Sequence, residues 1–535
     1  MIAQQKFPKD FLWGASTASH QVEGGTVNQW SQWELEHAVE LAAAAEKRLG
    51  HLPNWKDIRQ QAESPENYVS GQGVDHYNRY KEDFDLLEKL QFNSLRFGVE
   101  WSRLEPEEGA FNLEEIKHYH DYIDELLIRG ITPVLNIWHW TMPTWFTDKG
   151  GFENKDNLPL FDAYVQKIAD EYGDKIKYFI TLNEPNVYST FGYVTGEWPP
   201  QQKKYLTFLK VYHNLTKAHR RAYDILKKAN PTAQVGVAAQ LANIQAKHAH
   251  SLIDVAMTKI MRYGWNWWFL NRIKRRQDFV GINYYFTDYY HGTNGKDTPR
   301  VPTNDVGWYM EPEGLYPLLV RAWKHYKKPI IITENGVADQ NDQYREWWLE
   351  QTIIAMQRAL SEGVVIKGYM HWSLLDNFEW AFGWWPKFGL IEVDREDNMK
   401  RTPRPSAIWL ARYMMELQGK DTPSKPTSAK AKSAATAITE AANVEPEAAG
   451  IAAVSSGGPR KPKRIAQQPT NTAIAATPKP QHPMSRERRA ALRQRLHVPA
   501  MPKSKTGKSA TSNDSSGTGI SPRRINLKRF RSKIQ

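Results

Sequence analysis

The 535-residue sequence contains no cysteine. That excludes a disulfide framework, thiolate zinc or iron–sulfur centres and a thiol nucleophile, and it fits a reducing compartment. No run approaches the roughly 18 apolar residues of a membrane-spanning helix. The first residues reach Lys6, Lys9 and Asp10 without a secretory apolar segment, so a cytoplasmic location is expected. Hydrophobic residues are sparse at the C-terminal end: in 421–535 only 14 of 115 residues are Leu, Ile, Val or Phe, and Phe530 is the one aromatic of the chain's 64. Such a stretch cannot bury enough surface to offset chain entropy, and a disordered tail is predicted. The same stretch holds 22 of the 71 Lys and Arg but 6 of the 59 Asp and Glu, so it carries +16 while residues 1–420 carry −4. The net charge of +12 therefore belongs to the tail, whose basic clusters at 460–464, 486–495 and 523–533 can meet RNA or an anionic membrane. A solvated tether is the preferred reading of the tail.

Residues 1–420 are rich where the tail is poor. Tryptophan numbers 21 in the whole chain, and flat apolar rings are surfaces on which sugars stack. Short β-branched or aromatic runs recur at 11–17, 92–101, 131–139, 175–183, 234–240, 278–285, 328–334 and 367–373. Helical patterns lie between them. Asn112 with Glu115 forms a cap-like start for a helix carrying Ile116, Tyr119, Ile123 and Leu127, which Gly130 ends. Eight strands alternating with helices, several apolar on both faces, predict an α/β fold, a (β/α)₈ TIM barrel spanning 1–420. A doubly wound open sheet is the alternative. The long first crossover, 23–80, includes a helix-forming run at 34–49 and is expected on the active face.

In such a barrel, reacting groups come from the C-terminal ends of strands. The polar residues closing the runs are Gln21, Arg96, His139, Asn183, Glu184, Asn283, Tyr285, Glu334 and Trp372. Two are carboxylates, on strands four and seven, and paired carboxylates across a pocket suit glycoside hydrolysis. A single carboxylate at a strand end is more often a cap or a salt-bridge partner, and a lone histidine such as His139 more often a satisfied core residue. Trp138, Trp145, Trp265, Trp267 and Trp268 read as core or mouth packing.

Longer motifs add context. Phe11-Leu12-Trp13-Gly14-Ala15-Ser16-Thr17-Ala18-Ser19-His20-Gln21-Val22-Glu23-Gly24, Thr181-Leu182-Asn183-Glu184-Pro185, Ile332-Thr333-Glu334-Asn335-Gly336 and Asp376-Asn377-Phe378-Glu379-Trp380 occur in this order. Together they resemble glycoside hydrolase family 1, the β-glucosidase family, over roughly residues 7–415. The resemblance implies a retaining β-glycosidase with Glu184 as acid/base and Glu334 as nucleophile. It also implies a glycone site from Gln21, His139, Asn183, Tyr285, Trp372, Glu379 and Trp380, with Phe388 lining it. Gln21 and Glu379 are each expected to take two neighbouring hydroxyls. Glu334 needs a cation beside it, and Arg96 is the candidate.

The expected substrate is a small β-glycoside or short oligosaccharide without a 6-phosphate, because Glu379 would repel phosphate there. An intact Glu184 points to an O-glycoside. Residues 241–277 look shorter than the family's usual connection, and Trp384-Trp385-Pro386-Lys387 stands where relatives often carry Tyr and Arg. Gly507-Lys508-Ser509 lacks the glycine and strand of a phosphate loop, Gly71-Gln72-Gly73 lacks a dinucleotide fingerprint, and no His-Glu-x-x-His occurs. No cofactor and no metal are expected. A transglycosylase using the same site and a non-catalytic sugar-binding barrel tethered by its tail are the competing functions. Glucose or galactose preference, aglycone and oligomeric state are not legible.

Overall fold

The computed structural model describes residues 7–292, 295–297 and 302–417. The predicted tail and its basic clusters lie outside the described residues. Eight strands form one closed barrel: β1 Leu12–Ser16, β2 Ser94–Gly98, β3 Thr132–Asn136, β4 Tyr178–Asn183, β5 Gln234–Gln240, β6 Val280–Tyr284, β7 Ile330–Asn335 and β8 Ile366–Trp372. Each pairs in parallel with its neighbours in chain order, and β1 closes against β8. Every predicted run therefore holds one barrel strand, and the open-sheet alternative is excluded.

The helices follow from capping and periodicity. The Asn112 side chain accepts from the Glu114 and Glu115 amides and starts the helix Leu113–Ile128, whose Ile116, Tyr119, Ile123 and Leu126 are buried, while the expected Leu127 is 42% exposed. Gly130 follows its end at φ +70°, a conformation that favours glycine. The first crossover contains the helices Gln29–Ala43, Ala45–Leu49, Trp55–Ala62 and His76–Lys89. The predicted single run at 34–49 is thus broken at Ala44. Among the described residues, no helix is long and apolar enough to cross a membrane.

Two apolar layers and one polar layer decide where chemistry can occur. Most apolar residues pack between strands and outer helices. Leu12, Val134, Ile180, Ala238, Phe279, Ile331 and Met370 form a separate buried cluster contributed largely by the barrel strands. Two to four residues further toward the C-terminal ends, the buried residues become polar: Ser16, Asn136, Asn183, Gln240 and Asn283, joined by Arg96 of β2. A filled floor beneath a polar layer gives the barrel one chemically active end.

Candidate active site

Both glutamates sit where a strand loses its regular register. The pairing of β4 with β5 shifts between Ile180 and Asn183, and that of β7 with β6 shifts between Ile332 and Glu334. Such irregularities re-aim the side chains that follow them. Glu184 itself adopts φ +43° and opens the short helix Pro185–Thr190. On β7 the Thr-Glu-Asn-Gly residues divide the work. Asn335 donates to the Tyr284 carbonyl at 2.7 Å and accepts from Trp348 Nε1 at 2.9 Å. Gly336 must lack a side chain, because a Cβ there would lie 1.8 Å from the Trp372 carbonyl oxygen.

Glu334 is buried and held at both oxygens. Arg96 Nη1 forms an ion pair with Oε1, and Tyr285 donates to Oε2 at 2.5 Å. Burial first, and then the charges of Glu334 and Glu184, raise the Tyr285 phenol well above its ordinary range, so it remains a donor. Arg96, fully buried on β2, also donates through Nη2 to Asn183 Oδ1 at 2.7 Å. Glu184 accepts from Asn283 Nδ2 at 2.7 Å. Burial, and next the charge of Glu334, push the Glu184 carboxyl well above the usual carboxylate range. The two carboxyls thus have opposite surroundings: one faces a guanidinium and a phenol, the other a neutral amide.

The geometry also fixes a tautomer. Asn183 Oδ1 accepts from Arg96 and, at 3.1 Å, from Asn283, so its Nδ2 must face His139 Nε2 at 2.9 Å. Nε2 is then the acceptor and Nδ1 carries the hydrogen. The carbonyl end of the Asn136 amide, otherwise without a partner, meets that N–H after a half-turn of the amide. Burial, then the charges of Arg96 and His20, hold the His139 ring well below its ordinary value and keep it neutral.

A cavity of about 320 Å³ opens above these groups. Glu184, Glu334, His139, Tyr285, Trp372, Glu379, Trp380 and Phe388 all line it, as the sequence suggested. Trp380 stacks on His20 at 5.7 Å and on His139 at 5.9 Å. His20 is set in turn by Thr26 and by Glu34 of the first crossover, each at 2.7 Å. The loop carrying Glu379 and Trp380 is anchored by a paired Arg404–Asp376 contact at 2.9 and 3.0 Å. Glu379 Oε2 is buried without a partner, and burial, followed by the charge of Glu334, pushes its carboxyl up to about 8.

Three expected residues lie behind the cavity wall. Arg96 and Asn183 act on it through Glu334 and His139. Gln21 differs from expectation: its Nε2 donates to the Phe378 carbonyl at 2.7 Å, which leaves Oε1 alone without a partner instead of a two-ended clamp. Sequence reasoning missed Trp140, Trp198, Trp308 and Arg48, which also line the cavity. Trp140 follows His139 directly and has φ +74°, a signal that only the backbone reveals. Trp265 is at the mouth, where it donates to Gln240 Oε1, whereas Trp138 and Trp267 are core. Among the described residues, metal-ligating groups gather only at His248, Asp254 and His291, none of which lines the cavity.

Comparison with known proteins identifies the family and the fold. The profile of glycosyl hydrolase family 1 matches residues 3–275 and 269–418. Beta-glucosidase A of Thermotoga maritima is 30% identical over 456 residues, 76% of this chain and 97% of that protein. The beta-galactosidase of Saccharolobus solfataricus is 30% identical over 483 residues, 75% and 94% of the two chains. The solved beta-glucosidase of Thermotoga maritima in complex with glucoimidazole superposes with a TM-score of 0.67 at 29% identity, covering 77% of this chain and 99% of that one. A closed eight-stranded barrel, two buried glutamates at its C-terminal end and a profile match from residue 3 to residue 418 lead to one conclusion: the chain belongs to glycosyl hydrolase family 1.

Proposed function

We propose that the protein is a retaining β-glycosidase acting on unphosphorylated β-D-glucosides or β-D-galactosides. The observation that carries this reading is the opposed setting of the two carboxyls around one cavity: Glu334 paired with Arg96, Glu184 protonated by burial and by the charge of Glu334. Glu184 gives its proton to the glycosidic oxygen as Glu334 attacks the anomeric carbon, the aglycone leaves as an alcohol, and a glycosyl-enzyme ester forms. Glu334 then no longer bears a charge, so Glu184 loses the repulsion that kept its proton and becomes the base that deprotonates water. Water attacks the anomeric carbon, and Glu334 leaves as carboxylate.

Trp372, Trp380 and Phe388 supply apolar faces for the glycone, and Glu379 supplies an acceptor for its hydroxyls. The remaining wall includes Phe191, Trp198, Ile244, Phe286 and Trp308, which favours an apolar aglycone. The same apolar surfaces, set among Arg48, Glu197, Asp288 and Lys296, support a second reading, transfer of the glycosyl group to an alcohol held there in place of water.

The test is nitrophenol release from p-nitrophenyl β-D-glucoside and β-D-galactoside by wild type and Glu334→Gln, with the first anomer followed by NMR. Release lost in the variant, with the β-anomer appearing first, is expected. An α-anomer as first product, or activity retained in the variant, would overturn the assignment.

A further inference from the structure

The helix Leu252–Arg262, between β5 and β6, docks by its polar side. Its buried residues are Asp254 and Thr258, while Leu252, Ile253 and Ile260 are 86%, 61% and 62% exposed. Apolar burial therefore contributes little to its attachment. Polar contacts at both ends hold it: Arg262 donates to the Ile244 carbonyl, and a knot of bonds forms at Asp254. Oδ1 accepts from Gly292 N at 2.8 Å and Ser251 Oγ at 3.0 Å, and Oδ2 accepts from His248 N at 3.1 Å and His248 Nδ1 at 2.9 Å. Among the described residues no Lys or Arg pairs with this buried carboxylate. His291, next to Gly292, brings its ring to 5.1 Å from that of His248, at 74°. One ligating atom from each of His248, Asp254 and His291 lies within 4.8 Å of the others.

We propose that His248, Asp254 and His291 form a structural site for a borderline divalent cation, zinc above all, that clamps this helix to the outer wall of the cavity. Two imidazole nitrogens and one carboxylate oxygen suit zinc, cobalt, nickel or copper and do not suit magnesium or calcium, which take oxygen ligands. Zinc bonds of about 2.0–2.2 Å at tetrahedral angles place ligand atoms roughly 3.3 Å apart. The 2.9 Å contact between His248 and Asp254 opens to that spacing by a small movement of His248, which is exposed. A water takes the remaining position.

The site joins three segments that are otherwise held mainly by hydrogen bonds. His248 follows the strand Asn243–Ala246 and His291 follows the strand Thr287–Tyr290; these two strands pair in a small separate sheet. Ile244, Asp288 and Tyr290 of that sheet line the cavity, as does Trp265 in the turn that continues the helix. A cation here stiffens the wall facing the aglycone without touching the glutamates.

The experiment is zinc titration of the metal-free full chain by calorimetry, with thermal unfolding followed alongside, for wild type, His291→Ala and His248→Ala. Wild type is expected to take up one zinc and to gain a few degrees in its unfolding midpoint, with no gain from magnesium. His291→Ala should keep the metal-free midpoint, and His248→Ala, which loses its bond to Asp254, should lower it; both should bind at least tenfold more weakly and lose the zinc-dependent gain. Wild type that takes up no zinc below millimolar concentration overturns the proposal, as does a His291→Ala chain that binds as wild type does. A variant with a lowered metal-free midpoint is read against Asp254→Asn: equal zinc affinity in all three variants and wild type overturns the site, and parallel loss supports it. None of these readouts depends on glycoside turnover.

Discussion

Asn283 Nδ2 donates to Glu184 Oε1 at 2.7 Å, and Thr333 Oγ1 donates to Asn283 Oδ1 at 2.6 Å. The second bond fixes which end of the amide faces the carboxyl, so β7 orients Glu184, the proposed acid that follows β4, through a residue of β6. Asn283→Ala frees the Glu184 carboxyl to turn. With a poor leaving group kcat should fall about tenfold to a hundredfold, and with a dinitrophenyl glycoside, which needs little protonation, much less. Equal losses for both leaving groups would show that Asn283 does not act through the acid.

Arg96 joins Glu334, Asn183 and the Thr333 carbonyl from a fully buried position. Arg96→Met leaves a carboxylate without its cation in a dry layer, a change that costs on the order of 3–5 kcal/mol. Activity should vanish and the unfolding midpoint should drop. Adding Glu334→Gln removes the stranded charge and should recover much of the midpoint but none of the activity. A double variant no more stable than Arg96→Met would refute the electrostatic account.

The Glu379 carboxyl stands at about 8, against an ordinary 4.5. At pH 7 it is largely protonated in the empty site, so the repulsion of a 6-phosphate expected from its charge is only partly exerted there. Sugar hydroxyls that donate to it favour the ionised form, so binding an uncharged, uncleavable thioglucoside at pH 7 should release up to one proton. Calorimetry in buffers of different ionisation enthalpy reads that number directly, and it should fall toward zero above about pH 9 and in Glu379→Gln. The raised value also destabilises the fold as pH climbs from about 4.5 to about 8, because the folded chain then binds more protons than the unfolded one. Glu379→Gln should therefore raise the unfolding midpoint at pH 9 and leave it nearly unchanged at pH 4.

Trp380 stacks on His20 and on His139 and tilts against Trp30 at 4.7 Å and Trp140 at 4.8 Å. A leucine keeps much of the volume but loses the flat face. Trp380→Leu is expected to weaken glycone binding by about tenfold, in line with roughly 0.5–1.5 kcal/mol per aromatic contact beyond area, with KM rising more than kcat falls. The opposite split would place the residue's effect on the chemical step.

The eight strands were legible because each is a short β-branched or aromatic run bounded by turn residues, and Asn112 announced its helix by cap chemistry alone. Strand ends were less so. The run at 92–101 overreaches Ser94–Gly98 because Trp101–Leu104 coils into a helical turn, which composition does not reveal. The two glutamates could be placed at strand ends, and ordered motifs linked them to a family. The role of Asn283 could not be read, since it depends on register shifts in β4 and β7 that bring three strands to one point. The small sheet of Asn243–Ala246, Thr287–Tyr290 and Lys296–Asp297 was invisible for a similar reason: its strands are two to four residues long and distant in sequence. Arg48 reached the cavity from the first crossover, which was expected on that face, but nothing in its local sequence singled it out.

The barrel is sealed by β1 against β8, from Leu12 opposite Gly368 to Ser16 opposite Trp372. Until the ribosome has delivered residue 372, both flanks of the growing sheet carry unpaired backbone groups, the kind of surface that recruits other strands. Chains ending before that point are therefore expected to be inactive and to aggregate. Splitting the gene between the first and eighth strands should accordingly yield two insoluble halves, whereas one completed polypeptide closes on itself.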